Sequence, residues 1–166
     1  MTDPEASATW IPGEPDADRF WLSLAIDLSR KCPASESAFS VGAVIVSMAG
    51  EVLGTGYSRE TDEKDHAEEV ALLRAASADL GKATLYSSLE PCLRRASRPV
   101  SCSELVAASG VQRVVIAWLE PPVFVPRGGA TWLAARDVAV IQLSDLAPAA
   151  KAVNAHLLRG YDAGTR

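Results

Sequence analysis

Apolar residues recur at helical spacing near the start of the chain. Phe20, Leu24 and Leu28 lie four residues apart, on one face of a helix that we predict over residues 16–31. Pro33 follows closely, and because a proline cannot continue a helix it predicts the stop.

The next two elements are predicted to form a strand hairpin. Residues 41–47 are a continuous apolar run rich in β-branched side chains, which is typical of a buried strand. Ala49 and Gly50 predict a turn, and residues 51–57 predict the partner strand. Residues 58–64 are polar and predict a loop.

Helical spacing returns after this loop. Val70 and Leu73 follow it within residues 65–80, where Asp65 is a candidate N-cap and Gly81 a stop signal. We therefore predict a second helix over this range.

Shorter elements complete the chain. Residues 83–87 are an apolar run expected for a buried central strand, and residues 101–104, with the sequence Ser-Cys-Ser-Glu, have the form of a capping box that opens a helix over 102–109. The remaining predicted elements are a strand at 111–118, a short helix at 131–136, a strand at 138–143 and a last helix from Ser144.

This order of elements predicts an α/β fold. The strands at 111–118 and 138–143 are joined through a helix, which favours parallel pairing. We expect a mixed five-stranded sheet in which strands four and five are parallel. A chain of 166 residues suits one domain, which we place at residues 16–166, after a proline-containing flexible arm at 1–15.

Composition narrows the classes of function. Hydrophobic residues make up 48% and charged residues 22%, as in ordinary globular domains. A net charge of -5 argues against nucleic acid as a partner, because phosphate contacts need a basic face. Neither a membrane-length apolar run nor a secretory signal is apparent, so we expect a cytoplasmic protein that is not membrane-bound and acts on a small molecule.

The candidate chemistry lies in two short motifs and a separate cysteine. The motifs are His66-Ala67-Glu68 and Leu89-Glu90-Pro91-Cys92, and the cysteine is Cys102. One imidazole and two thiolates can hold Zn²⁺ with an open fourth position, and a nearby carboxylate can move protons there. A His-x-Glu motif followed by Pro-Cys-x-x-Cys is the signature of zinc-dependent base deaminases. Here nine residues, rather than two, separate the cysteines.

These motifs resemble those of the cytidine-deaminase-like superfamily. Within it, the chain is most similar to the deaminase half of the bacterial riboflavin-biosynthesis pyrimidine deaminase/reductases. The long spacing between Cys92 and Cys102 resembles the insertion of these riboflavin deaminases. The resemblance is carried by residues 41–46, 65–68, 83–92, 111–117 and 153–158.

The resemblance implies a three-layer α/β/α cytidine-deaminase-like fold and a zinc-dependent deaminase domain. It implies that His66, Cys92 and Cys102 hold zinc and that Glu68 is the catalytic acid and base. The implied substrate is diaminohydroxyphosphoribosylaminopyrimidine or a close analogue, and the implied assembly is a homodimer or tetramer. The candidate substrate-binding residues are Phe39, Gly42, Ala43, Ser88, Glu90, Pro91, Arg94, Arg95 and Arg98, with the arginines as candidates for gripping a phosphate.

Alternatives stay open. Ser37, Ala38 and Phe39 stand where the riboflavin deaminases usually have Pro-Asn-Pro, so the substrate is alternatively a nucleoside, nucleotide or nucleobase of salvage or secondary metabolism. A second alternative is a non-catalytic zinc-binding partner subunit. A purely structural zinc would normally need a fourth protein ligand, and only His156 remains for that role. The alternative to phosphate binding is that the arginines are solvated surface charges. The alternative to substrate binding by Phe39 is that it is a core residue.

Overall fold

A mixed sheet of five strands lies at the centre of residues 9–161, the part of the chain that the computed structural model describes. The strands are β1 (Gly42–Val46), β2 (Val52–Tyr57), β3 (Thr84–Ser87), β4 (Arg113–Ile116) and β5 (Ala139–Gln142). The helices are α1 (Pro15–Ser29), α2 (Ala67–Arg74), α3 (Cys102–Ser109), α4 (Gly129–Ala134), α5 (Ala147–Val153) and α6 (Ala155–Leu158), with a 3-10 turn at Ser144–Leu146 before α5.

The sheet has the strand order β2-β1-β3-β4-β5. Strand β1 is antiparallel to both of its neighbours, whereas β3, β4 and β5 are parallel to one another. Parallel strands need crossover connections, which α3 and α4 supply here. The predicted mixed sheet, with strands four and five parallel, is confirmed.

Helices cover the sheet on both faces. Helix α1 packs on β1 and β3, and α2 packs on β2 and β1. Gly42 of β1 faces α1, while Gly56, which pairs with the next residue of β1, faces α2. Successive residues of a strand point to opposite faces, so the two helices lie on opposite sides. This explains why β1 is buried along its whole length, and it gives the expected three-layer arrangement.

The start of α1 is anchored by aromatic residues. Trp10 stacks on Phe20 with ring centroids 4.7 Å apart, and its carbonyl oxygen accepts a hydrogen bond of 2.8 Å from Nε1 of Trp21. The second half of the predicted N-terminal arm is therefore packed against the helix. The first half of that arm, residues 1–8, lies outside the described residues.

Helix α2 is shorter than predicted. The apolar period suggested a helix to residue 80, but the helix ends at Arg74, and Leu73 is 76% exposed. Asp65 is not the N-cap, because its carboxylate accepts hydrogen bonds of 2.9 Å from the backbone N–H groups of Thr61 and Asp62. His66 occupies the N-cap position instead.

The predicted last helix is broken in two at Asn154. The side chain of this buried residue accepts a hydrogen bond of 2.7 Å from the N–H of Ser40 and donates one of 3.0 Å to its carbonyl oxygen. These bonds tie the C-terminal helices to the segment that leads into β1. Among the described residues, none of the helices combines the length and the apolar character needed to cross a bilayer.

A buried charge cluster joins α1 to the sheet. Asp18 accepts hydrogen bonds from the Tyr86 hydroxyl (2.6 Å) and from Nη1 (2.9 Å) and Nη2 (2.5 Å) of Arg113. Burial alone would raise the pKa of Asp18, but the bonds from Arg113, Tyr86 and Gly13 outweigh it, so the pKa lies below its ordinary value. Ionised Asp18 therefore contributes to the stability of the fold.

We expect Asp18→Asn to lower the free energy of unfolding by about 2 to 4 kcal/mol at neutral pH, because it leaves Arg113 without its counter-charge. A carboxyl whose pKa is depressed in the folded state stabilises above its ordinary pKa of about 3.9, and the effect is lost as the pH falls through the folded-state value. The difference from wild type, measured by urea unfolding, should therefore narrow as the pH falls below about 3.9.

The matched control is Asp16→Asn, which changes an exposed aspartate of the same helix and should cost less than about 1 kcal/mol. Equal costs for the two variants at neutral pH would contradict the structural role of Asp18.

Candidate active site

Three metal-ligating side chains converge from three separate elements. His66 is the N-cap of α2, Cys102 is the first residue of α3, and Cys92 lies in the loop after β3. Nδ1 of His66 lies 3.6 Å from Sγ of Cys92 and 3.4 Å from Sγ of Cys102, and the three ligand atoms lie within 4.8 Å of one another. Within residues 9–161, the group contains no fourth histidine, cysteine or carboxylate.

This donor set fits zinc. Thiolate sulfur and imidazole nitrogen are the ligands that zinc takes in proteins, and three protein ligands leave a tetrahedral ion one position for water or substrate. A group that is open in this way is typical of a catalytic zinc site rather than a structural one.

Local hydrogen bonds fix the two cysteines. The predicted capping box is present: the N–H of Glu104 donates to Oγ of Ser101, and the N–H of Ser101 donates to Oε2 of Glu104. The box starts α3 so that the N–H of Cys102 donates to Sγ of Cys92 at 3.4 Å. The N–H of Ser103 donates to the carbonyl oxygen of Cys92 at 3.1 Å. The second cysteine thus holds the first in place.

One hydrogen bond between the two thiols shifts their pKa values in opposite directions. The hydrogen bond from Cys102 and the proximity of His66 lower the pKa of Cys92 to about 4, although burial opposes this. The same hydrogen bond, with burial, raises the pKa of Cys102. A bound divalent cation favours deprotonation of both thiols, because its charge is the largest one nearby.

Glu68 lies in the first turn of α2 and is only 3% exposed. Burial and the negative charge at Cys92 raise its pKa. The hydroxyl oxygen of Ser87 lies 2.8 Å from Oε1 of Glu68 and 2.7 Å from the carbonyl oxygen of Leu89. This hydroxyl can donate to ionised Glu68, or it can accept from protonated Glu68 while donating to Leu89. The site therefore accommodates both protonation states of Glu68.

A cavity of about 580 Å³ opens beside these residues. Part of its wall is aromatic, since Phe39 and Phe124 line it with ring centroids 5.0 Å apart. Of the predicted site residues, the cavity is lined by Phe39, His66, Glu68, Glu90, Cys92, Arg94 and Arg95.

Several predicted substrate-binding residues lie behind the cavity wall. Gly42 and Ala43 are fully buried in β1, and a Cβ atom on Gly42 would lie 1.9 Å from the carbonyl oxygen of Ala25. The close approach at Gly42 is therefore to α1. Oγ of Ser88 accepts from the N–H of Gly42 at 3.1 Å, and the carbonyl oxygen of Pro91 accepts from Ser103 at 3.1 Å. The contacts that these residues make are with the protein.

Glu90 lines the cavity but its carboxylate is occupied. Oε2 accepts a hydrogen bond of 2.8 Å from the N–H of Glu120, and Oε1 accepts one of 2.7 Å from the N–H of Ala130. Glu90 therefore holds the loop between β4 and α4, which supplies Phe124 to the cavity wall.

The predicted arginine cluster is divided by its contacts. Arg95 and Arg98 form ion pairs with carboxylates of the protein. Arg94 is exposed, lines the cavity and has no ion-pair partner among residues 9–161. Lys64, also exposed, lines the same cavity.

Sequence reasoning missed Glu120. This buried residue lines the cavity, and burial together with the negative charges of Cys92, Glu68 and Glu90 raises its pKa to about 9. It follows the carboxyl end of β4, where ligands bind in parallel sheets, and that position is the signal that would have found it.

The chain is similar to known proteins. Residues 15–118 match a family model described as the cytidine and deoxycytidylate deaminase zinc-binding region. The chain is 36% identical over 143 residues to the diaminohydroxyphosphoribosylamino-pyrimidine deaminase of Schizosaccharomyces pombe, a match that covers 84% of this chain and 35% of the relative. A protein of the same name from Buchnera aphidicola subsp. Schizaphis graminum is 33% identical, with 74% of this chain and 82% of the relative covered.

A solved structure has the same fold. The diaminohydroxyphosphoribosylaminopyrimidine deaminase/5-amino-6-(5-phosphoribosylamino)uracil reductase of Thermotoga maritima superposes with a TM-score of 0.72 at 28% identity, covering 82% of this chain and 38% of that one. The chain thus spans about a third of the length of the Schizosaccharomyces and Thermotoga proteins. Because the family model matches more than half of the chain, and the Buchnera relative matches over most of its own length, this chain belongs to the zinc-binding cytidine and deoxycytidylate deaminase family.

Proposed function

We propose that this chain is a zinc-dependent hydrolytic deaminase of a small aminopyrimidine, diaminohydroxyphosphoribosylaminopyrimidine or a close analogue. The observation that carries the proposal is the convergence of His66, Cys92 and Cys102 beside buried Glu68 at the cavity. The names of the relatives from Schizosaccharomyces and Buchnera support this choice of substrate.

In this proposal His66, Cys92 and Cys102 hold the zinc. When bound, zinc supplies a Lewis acid that lowers the pKa of water from about 15.7 to roughly 7. Both cysteines are buried, which limits the access of bulk water to these ligands.

Glu68 carries the protons. It accepts one proton from the attacking water and delivers it to the ring nitrogen beside the amino-bearing carbon. It then takes the second water proton, from the hydroxyl now attached to that carbon, and delivers it to the departing amino group. Ammonia leaves and a carbonyl remains. The raised pKa suits a group that must hold a proton during turnover, and Ser87 can pair with Glu68 in both of its states.

The cavity orients the ring. Phe39 and Phe124 offer an apolar wall, against which an aromatic base can pack. Burial raises the pKa of Glu120 to about 9, and in its protonated form this residue can donate a hydrogen bond to a ring oxygen or nitrogen.

Arg94 is the candidate for binding a phosphate, with Lys64 as a second cation at the same cavity. The internal ion pairs of Arg95 and Arg98 leave fewer free cations than the sequence suggested. This pairing favours the second candidate function, deamination of an unphosphorylated nucleoside or nucleobase.

The assembly and location belong to the same proposal. By its resemblance to the superfamily we expect a homodimer or tetramer in the cytoplasm. Buried Glu68, placed beside a cavity of substrate size, supports an enzyme over a non-catalytic partner subunit.

We expect Glu68→Gln to retain zinc while the turnover number falls about 100- to 10,000-fold, because an amide cannot transfer the proton. Ammonia release and metal content of the purified protein are the measurements. Glu51→Gln, an exposed change in the β1–β2 hairpin, is the control and should leave both unchanged. Unchanged turnover in Glu68→Gln would remove this residue from the mechanism.

We expect Arg94→Gln to raise the KM for the phosphorylated aminopyrimidine about tenfold with little change in kcat, because a phosphate remote from the reacting carbon contributes uniform binding. The KM for the dephosphorylated compound should not change. Steady-state ammonia release with both compounds makes the comparison.

The control for Arg94→Gln is Arg30→Gln, which removes an exposed arginine paired with Asp27 on α1. A wild-type preference for the dephosphorylated compound would reject the phosphate role and favour the nucleoside alternative.

A further inference from the structure

The segment between the two cysteines is tied to the helix that carries His66 and Glu68. We propose that Arg95 and Arg98 are positioning residues, an inference that rests on the proposed zinc site. They hold the His66–Glu68 turn against the cysteines and thereby set the affinity for the metal. Neither arginine would touch the substrate in this role. Arg95 and Arg98, together with their carboxylate partners Asp65 and Glu69, form what we call the arginine latch.

Glu69 receives both arginines at once. Its Oε2 lies 2.5 Å from Nη1 of Arg95, and its Oε1 lies 2.9 Å from Nε of Arg98, a charge contact rather than an aligned hydrogen bond. The Arg95 side chain is only 2% exposed, and it also donates to the carbonyl oxygen of Lys64. Glu69 follows Glu68 directly, so this contact holds the end of the turn.

Asp65 holds the beginning of the same turn. Its Oδ1 lies 3.3 Å from Nη2 of Arg98, while its Oδ2 accepts hydrogen bonds from the backbone and hydroxyl of Thr61 and the backbone of Asp62. Asp65 comes immediately before His66. The arginine latch therefore grips the residues on both sides of the His66–Glu68 turn.

His66 needs this external support. In metal-bound histidines, the N–H of the second ring nitrogen usually donates a hydrogen bond to a carboxylate or carbonyl group, which fixes the orientation of the ring. In the described part of the chain, Nδ1 faces the two sulfur atoms and Nε2 has no hydrogen-bond partner. The orientation of the imidazole therefore depends on how firmly the backbone of the turn is held.

The segment itself also needs support. Nine residues separate Cys92 from Cys102, and a loop of that length gives up conformational freedom when its two ends meet at one ion. Ion pairs that order the loop before the metal arrives reduce this cost at the moment of binding. Exposed ion pairs contribute little to stability. The Arg95 side chain, however, is buried and shares Glu69 with Arg98. Removing one partner therefore leaves a charge uncompensated.

The test is the zinc dissociation constant, measured by competition with a chromophoric chelator. We expect Glu69→Gln, which keeps the shape and removes the charge that both arginines share, to weaken zinc binding about 10- to 100-fold. Arg98→Gln should weaken it by a smaller factor, and the double variant should show less than the product of the two single effects. The visible absorption of the cobalt-substituted protein should change in Glu69→Gln, because the ligand geometry relaxes.

The matched control is Arg74→Gln. Arg74 lies at the other end of α2 and pairs with Glu60 at 2.7 Å, so the variant removes an ion pair of the same helix without touching the arginine latch. Its zinc affinity and cobalt spectrum should equal those of the wild type.

Zinc dissociation constants within twofold of wild type for both Glu69→Gln and Arg98→Gln, with unchanged cobalt spectra, would overturn the positioning role. Should Glu69→Gln fail to fold, Arg98→Gln decides alone, because its side chain is 37% exposed and its removal spares the buried Arg95–Glu69 pair. A wild-type protein without zinc affinity would instead overturn the proposed function. The two failures are thus distinct, and neither readout requires a substrate.

Discussion

The close packing of α2 on β2 is the contact on which the site depends. A Cβ atom on Gly56 would lie 2.5 Å from the carbonyl oxygen of Ala67, and one on Gly54 would lie 2.4 Å from that of Ala71. No side chain larger than hydrogen fits at either position without moving the helix. This approach fixes the first turn of α2 over the edge of the sheet where β3 ends, which brings the histidine and the glutamate to the cysteines.

The charge distribution explains why this place suits a cation. The thiol of Cys102 and the carboxyl groups of Glu68 and Glu120 lie near Cys92, and burial together with neighbouring negative charge raises the pKa of all three. A divalent ion bound by the thiolates would offset that negative charge, and the acids that remain protonated would stay available for hydrogen bonding and proton transfer. The buried groups that would be a cost in an ordinary core are therefore the groups that the proposed chemistry uses.

Local signals predicted much of the fold and the metal group. The capping box at Ser101 placed Cys102 at a helix start, and the helical crossover between the last two strands predicted their parallel pairing. These features depend on residues close together in the sequence, so they can be read without a structure.

Features that depend on long-range pairing were not predictable. The apolar period overestimated the length of α2, because Leu73 follows the helical spacing but its side chain is exposed. Arg95 and Arg98 were interpreted as free cations, since nothing in the sequence shows that Glu69 and Asp65 fold onto them. Glu120 was missed because its burial follows from a loop held by Glu90.

In the proposed site, one imidazole and two cysteine sulfurs bind a zinc ion that keeps an exchangeable position. X-ray absorption spectroscopy at the zinc edge, on protein with its metal content determined, tests this arrangement. We expect one zinc per chain with two sulfur ligands at about 2.3 Å and nitrogen or oxygen ligands at about 2.0 to 2.1 Å. A spectrum with four sulfur ligands, one without sulfur, or protein that takes up no zinc would contradict it.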